Sequence, residues 1–236
     1  MQLPPLTNGR ILRRYKRFLA DIELPGGEVV TAHCPNTGSM LGCWRPGAPV
    51  QLSHSDNPRR KLAWTLERVD MGQGWIGVHT GRTNPVVEEA LREGRIAELV
   101  GYRSIRREVV YSHDGERSRF DLFLAEGRRA DAWVEVKNVT LWQGDGLSFP
   151  DAVTARGRKH LELLAAACGQ GYRGVMVYAL NRPEGDYFHP AEEIDPAYAE
   201  TLRRVVREAG VEAIALRIVH REGTMEAEAT VEVVLD

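Results

Sequence analysis

The run WVEVKNVTL, residues 133–141, constrains the fold more tightly than any other stretch of the chain. Trp133, Val134, Val136, Val139 and Leu141 favour extended backbone, and a run this apolar belongs inside a sheet rather than at its margin. Alternation puts Val134 and Val136 on one face and Glu135 and Lys137 together on the other. An acid and a base on the face of a buried strand need hydrogen-bonding partners, or a metal ion, to offset their lost hydration. The strand is therefore expected both to lie in a core and to carry chemistry.

The flanking sequence supplies neighbours for such a strand. SIRREVVY and RFDLFL precede it as strands. TARGRKHLELLAAACG follows as a helix with Leu161, Leu164, Ala165 and Cys168 as its apolar stripe and Gly169 closing it. RGVMVYAL reads as a second buried strand, PAYAETLRRVVREAG as a helix ended by glycine, and VEAIALRIVH and TVEVVLD as further strands. This βαβαβ order argues for a partly parallel sheet covered by helices. Another helix starts at Asn84 and Pro85, with proline at its first helical position, and runs to about Gly94.

Upstream of that helix the pattern is β. KRFLADIEL alternates, with Phe18, Ala20, Ile22 and Leu24 on one side; LPGGE is a turn and VVTAHC a strand. KLAWTLERVD and WIGVHT flank MGQG as a hairpin. Short strands with frequent turn signals suggest a small OB-like barrel. The boundary is placed in GRTNP, residues 81–85.

The formal net charge is -2, so any contact with a polyanion must come from a local patch. Three cysteines, Cys34, Cys43 and Cys168, make no CxxC pair and no disulfide framework, which implies a reducing compartment. No signal segment and no apolar run near the roughly 20 residues of a membrane span is visible. A cytoplasmic protein without a membrane partner is expected.

Asp121 lies in RFDLFL, the strand before the Glu135 strand. If the two form a hairpin, Asp121 and Glu135 face each other across it. Carboxylates that close repel unless a cation lies between them, and a hard cation with oxygen ligands, Mg²⁺ first and Mn²⁺ as an alternative, resolves the repulsion. Lys137 would then point towards a bound water or a phosphate. Such a metal polarises a phosphodiester, and the ammonium stabilises the charge that develops on it. An Asp followed by Glu-x-Lys on the next strand is the active-site pattern of the PD-(D/E)XK nuclease superfamily, although this chain has RFD in place of a literal PD. That superfamily usually adds a glutamate from the helix before the first strand, which here is expected to be Glu89 rather than Glu88, with Glu108 in RREVVY a rival. Arg156 and Lys159, near the start of the following helix, are candidates for phosphate contact. The plain alternative is that Glu135 and Lys137 form a structural ion pair.

RILRRYKRF gathers Arg13, Arg14, Lys16 and Arg17 with Tyr15 and Phe18, a mixture suited to a nucleic-acid backbone and its bases. A solvated strand edge would read the same way. HCPNTGSM, residues 33–40, could form an anion nest or simply a turn. A zinc site from His33, Cys34, Cys43 and His54 fits no usual structural spacing.

RYKRFLADIEL, HCPNTGSM, SDNPRRK, ELVGYRSIRREVVY, SRFDLFL, WVEVKNVTL and FPDAVTARGRKHLELL together resemble the sugar fermentation stimulation protein A family, over nearly the whole chain. The resemblance implies a mixed α/β chain with an OB-like β-barrel, placed at residues 1–82, and a PD-(D/E)XK restriction-endonuclease-like domain, placed at 83–236. It also implies DNA binding and a regulatory role in sugar (maltose) metabolism. It places Asp121, Glu135 and Lys137 at the nuclease-type positions and adds Asp151 and Thr154 as pocket residues. Three functions stay open at this level: a Mg²⁺-dependent nuclease, a non-catalytic DNA-binding regulator, and an enzyme of phosphorylated small molecules. The oligomeric state is open too, a homodimer included.

Overall fold

The structure, a computed structural model, describes residues 1–236. Six strands come first: β1 (Leu6–Tyr15), β2 (Leu19–Glu23), β3 (Val29–His33), β4 (Pro49–His54), β5 (Trp64–Asp70) and β6 (Trp75–Gly77). Their order is β3-β2-β1-β4-β5-β6, and a parallel bridge from His33 in β3 to Thr65 in β5 closes the first five into a barrel. Ile11, Ala20, Ile22, Val50, Leu52, Leu66 and Val69 fill it. The alternation of KRFLADIEL holds at Ala20 and Ile22, but Phe18 is exposed because it lies in the turn before β2. β1 and β4 carry little alternation that marks them as strands in the sequence, because their outer faces are rich in polar and charged residues.

The helix α1 (Thr83–Arg92) follows, then β7 (Ser104–His113), β8 (Glu116–Ala125), β9 (Ala132–Val139), β10 (Leu141–Gln143), β11 (Gly146–Phe149), α2 (Ala155–Gly169), β12 (Arg173–Leu180), β13 (Tyr187–Pro190), α3 (Pro196–Ala209), β14 (Glu212–Arg221) and β15 (Thr224–Val233). The strands form one nine-stranded sheet in the order β10-β11-β13-β15-β14-β12-β9-β8-β7. β9, β12 and β14 run parallel at its centre, and β7, β8 and β9 are antiparallel neighbours. In β12, Val175, Val177 and Ala179 pack on the side of α1, while Met176, Tyr178 and Leu180 pack on the side of α2 and α3. A strand buried on both faces has no polar alternation, which is why RGVMVYAL is an unbroken apolar run. On α2 the buried stripe is Leu161, Leu163, Leu164 and Ala167; Ala165 and Cys168 lie at its margin. No helix is long and apolar enough to cross a membrane.

The two sheets dock closely. The amide of Gly77 in β6 donates to the Asn181 carbonyl at 2.8 Å. A Cβ at Gly77 would lie 2.5 Å from the His220 ring, so this approach requires glycine. Arg68, fully buried, donates to the Arg221 carbonyl at 2.8 Å. Arg82 donates to Glu67 at 2.8 Å and ties the barrel to the start of α1. Residues Met1–Leu3 lie against the second sheet: Gln2 bridges to Thr224, and Leu3 N–H donates to Gly223 O at 2.9 Å.

Candidate active site

The β8–β9 ladder pairs Leu122 with Val134, which sets Asp121 and Glu135 as the next opposed positions. The ladder stops there, and Asp121 Oδ2 accepts instead from the amide of Val136 at 2.8 Å. On the other side of β8, Glu108 of β7 has φ +53° and falls out of the β7–β8 register opposite Asp121. Both neighbours thus release the backbone around Asp121. Its Oδ1 accepts from the Asn84 side-chain amide at 2.7 Å.

Glu135 and Lys137 share the face of β9 that meets α2. Lys137 Nζ donates to Glu135 Oε1 at 2.5 Å and lies 3.2 Å from His160 Nδ1. His160, fully buried on α2, also reaches Glu135 Oε1 through Nδ1. Ser118 Oγ lies 2.9 Å from its other ring nitrogen. The simplest neutral arrangement has Nδ1–H donating to Glu135 and the Ser118 hydroxyl donating to Nε2. Glu135 Oε2 is buried with no hydrogen-bonding partner.

The two carboxyls are driven apart in acidity. Burial, and then the neighbouring Glu135 charge, push Asp121 up to about 6. Burial alone would raise Glu135 too, but His160 and Lys137 outweigh it and hold its carboxyl below the ordinary range. A divalent cation fits this donor set: it would take up the orphaned Oε2 and relieve the Asp121–Glu135 repulsion. No three His, Cys, Asp or Glu converge as a cage, so Asp121 and Glu135 are the carboxylates such an ion would meet here.

Glu89, the expected third acid, is turned away from Asp121 and pairs with the Met1 ammonium at 2.5 Å. Glu88 is buried but bound by Arg92 and Arg107. Glu108 pairs with Arg119 at 3.1 Å on an exposed surface. The α1 side chain that does reach Asp121 is Asn84, because residues at the start of the helix, not a turn further on, overlie the end of the β8–β9 ladder. Glu89→Gln is accordingly expected to leave any metal-dependent cleavage of a labelled oligonucleotide within about twofold and to cost at most about 1 kcal/mol of stability in denaturant titration. A loss of a hundredfold would restore Glu89 to the metal site.

Two family profiles match the chain: "SfsA N-terminal OB domain" over residues 12–78 and "Sugar fermentation stimulation protein RE domain" over residues 81–224. The chain belongs to the sugar fermentation stimulation protein family. A homologue of that name from Geobacter metallireducens is 53% identical over 218 residues, covering 92% of both chains. One from Pseudomonas putida is 54% identical over 215 residues, covering 90% of this chain and 89% of its own. The solved structure of Pyrococcus furiosus SfsA in complex with Ca²⁺ superposes with a TM-score of 0.87 at 26% identity, covering 99% of this chain and 98% of that one. The fold is thus an OB-like barrel followed by a restriction-endonuclease-like α/β domain, as the resemblance implied.

In this member of the sugar fermentation stimulation family the nominated cations divide sharply. Arg13 is tied to Asp21 at 2.6 Å and Lys159 to Glu116. Arg14 has no carboxylate partner but donates to the carbonyls of Arg17, Asn36 and Gly38, so it shapes a loop more than it presents charge. Lys16 and Arg17 stand exposed on the β1–β2 turn, and Arg156 stands exposed on α2 with its Nε 3.4 Å from His160 Nε2. The HCPNTGSM loop does hold an anion, but an internal one: Ser39 N–H and Oγ donate to Asp151 Oδ2 at 2.9 and 3.0 Å. Thr154, expected in the pocket, is the N-cap of α2 and accepts from Gly157 N–H at 3.0 Å. Asp195 accepts from Thr154 N–H at 2.8 Å and from Arg158, so this helix start is already satisfied.

Proposed function

We propose that the protein is a divalent-metal-dependent phosphodiesterase of nucleic acid, with DNA as the first substrate and Mg²⁺, replaceable by Mn²⁺, as the metal. The observation that carries this is the buried, unpartnered Glu135 Oε2 opposite an Asp121 whose carboxyl is held near 6. Asp121 and Glu135 would hold the ion, which supplies Lewis-acid charge to the phosphate and to a coordinated water. Lys137 lies on the same face and supplies a fixed positive charge where negative charge builds on the phosphoryl oxygens. His160 braces Glu135 and limits how far that carboxylate can swing. Exposed Arg156, on the first turn of α2, meets the backbone of the bound strand. The Ca²⁺ complex described for the P. furiosus relative supports a hard, oxygen-preferring cation. In this reading the barrel grips and the α/β domain, against which Met1–Leu3 also pack, cuts, within a cell's cytoplasm.

The test is cleavage of end-labelled single- and double-stranded DNA and RNA with Mg²⁺ or Mn²⁺, comparing wild type with Asp121→Ala purified in parallel. Metal-dependent cleavage by wild type alone is expected. Equal products from both proteins, or none from either with binding retained, would overturn the reading in favour of a non-catalytic nucleic-acid binder. The engagement of Glu135 Oε1 by Lys137 and His160, a cluster already neutral by itself, is what that alternative would rest on.

A further inference from the structure

Next to the proposed site, the seam between barrel and nuclease-like domain carries apolar side chains that the fold does not cover. Among the large hydrophobic residues left in solvent are Trp142 at 46%, Leu41 at 60% and Val153 at 70% of full exposure. Scattered single residues of this kind need no explanation, but these three are linked through a chain of contacts. Leu41 N–H donates to Ser39 Oγ at 3.3 Å, and Ser39 in turn holds Asp151, two residues before Val153. On the other flank, Cys43 Sγ reaches both the Leu41 and the Thr140 carbonyls, at 3.5 and 3.3 Å. Thr140 follows Lys137 by three residues, roughly 10 Å of extended chain.

Trp142 is braced rather than loose. The guanidinium of buried Arg182 lies 5.5 Å from the ring centroid. That guanidinium is itself fixed by Glu184 at 2.8 and 2.9 Å and by the Thr140 carbonyl at 2.8 Å. Arg182 therefore braces the indole, which is about half exposed. A braced, half-exposed indole is the kind of ring on which a base can stack. Arg17, which has no carboxylate partner, reaches the loop that carries Ser39, its Nε donating to Thr37 O at 2.9 Å. Lys16 and Arg17 hold φ of +49° and +67°, a region that L side chains enter at a cost and where glycine or asparagine would be easier. Charge is thus presented on a turn whose geometry does not favour those residues.

We infer that this seam takes unpaired nucleotides, with Trp142 stacking on a base and the Lys16–Arg17 turn holding the backbone, so that the adjacent site receives single-stranded or frayed ends rather than an intact duplex. Bases inside a duplex are stacked on one another and offer no free face to the indole. The inference deepens the phosphodiesterase reading and rests on it for the identity of the site, but it is tested by binding alone.

The experiment is fluorescence anisotropy of labelled single-stranded DNA, single-stranded RNA and a blunt duplex of equal length, in EDTA at fixed salt, with wild type, Trp142→Ala and Trp142→Phe. Single strands are expected to bind wild type at least tenfold more tightly than the duplex. Trp142→Ala should lose about tenfold or more on the single strand, Trp142→Phe most of that less, and duplex binding should not change. RNA binding as tightly as DNA would widen the substrate class without moving the platform. Equal affinity for strand and duplex, or a Trp142→Ala loss that phenylalanine does not restore although circular dichroism is unchanged, would overturn the inference. Cleavage by wild type with no Trp142-dependent preference would sink the seam and leave the phosphodiesterase standing. Trp142-dependent single-strand binding without cleavage would do the reverse.

Discussion

Lys137→Ala is expected to lower the single-turnover rate of nucleic-acid cleavage by about 10²–10³-fold, the range found when one preorganised charge-stabilising group is removed. Two effects act together. The ammonium is lost from the place where the phosphoryl oxygens gain charge. Glu135 Oε1 also loses a partner at 2.5 Å and keeps only His160. With less positive charge beside it, the Asp121–Glu135 pair repels more strongly, so Asp121, already raised to about 6, should be raised further in the metal-free protein. The rate deficit should therefore be larger at pH 6 than at pH 8, because more of the variant enters the assay with Asp121 protonated. Lys137→Arg keeps the charge but replaces a compact ammonium with a planar fork in a nearly closed space, and should recover only part of the rate. The measurement is a pH series of single-turnover rates with substrate affinity recorded separately. An unchanged rate, or a loss confined to affinity, would remove Lys137 from the chemistry.

The acid–acid–lysine set was legible in the sequence because strand alternation alone put Glu135 and Lys137 on one face, and a hairpin alone put Asp121 opposite. The fold class was legible for a related reason: strands buried on both faces and amphipathic helices leave different periods in the residues. What the sequence did not reveal has physical causes as well. His160 stands on an apolar helix beside Leu161, and its role comes only from α2 packing across β9, a contact 25 positions apart in the chain. A histidine on the core-facing side of a helix that follows an E-x-K strand was the available signal. The nuclease pattern leads one to expect a glutamate from the helix before the sheet, but helix phase turns Glu89 towards Met1 and leaves Asn84 over Asp121. β10, β11 and β13 are three or four residues long and pair at the far edge of the sheet, too short to show a period. The charge of Arg14 suggests a nucleic-acid contact, whereas its neighbours make it the clasp of the loop that grips Asp151.

Asp121 sets the second large effect, on stability rather than rate. In the unfolded chain its carboxyl titrates near 3.8, and in the fold it titrates near 6. Between those values the native state binds more protons than the unfolded state, so stability falls as pH rises through this window. The protonated native form has its full advantage below 3.8, and above about 6 the metal-free protein carries the whole penalty of a buried, repelled carboxylate. About two pKa units correspond to about 3 kcal/mol, and since the side chain is not wholly buried, about 2 kcal/mol is the expected size. Asp121→Asn, which keeps the shape without the charge, should then raise the melting temperature at pH 8 by about 4–8 °C for a chain of this length. The gain should shrink towards zero at pH 4. Glu135 has the opposite sign, since its lowered carboxyl contributes stability that is lost as pH falls, but it is present in both proteins and cancels in the difference. Mg²⁺ should reproduce the gain in wild type at pH 8, fail to do so at pH 4, and do little for Asp121→Asn at either pH, because the ion relieves the same repulsion that the substitution removes. Thermal melts at the two pH values, with and without Mg²⁺, decide it: a gain that does not depend on pH, or equal stabilisation of both proteins by the metal, would show that the strain at Asp121 is not electrostatic and that the ion binds elsewhere.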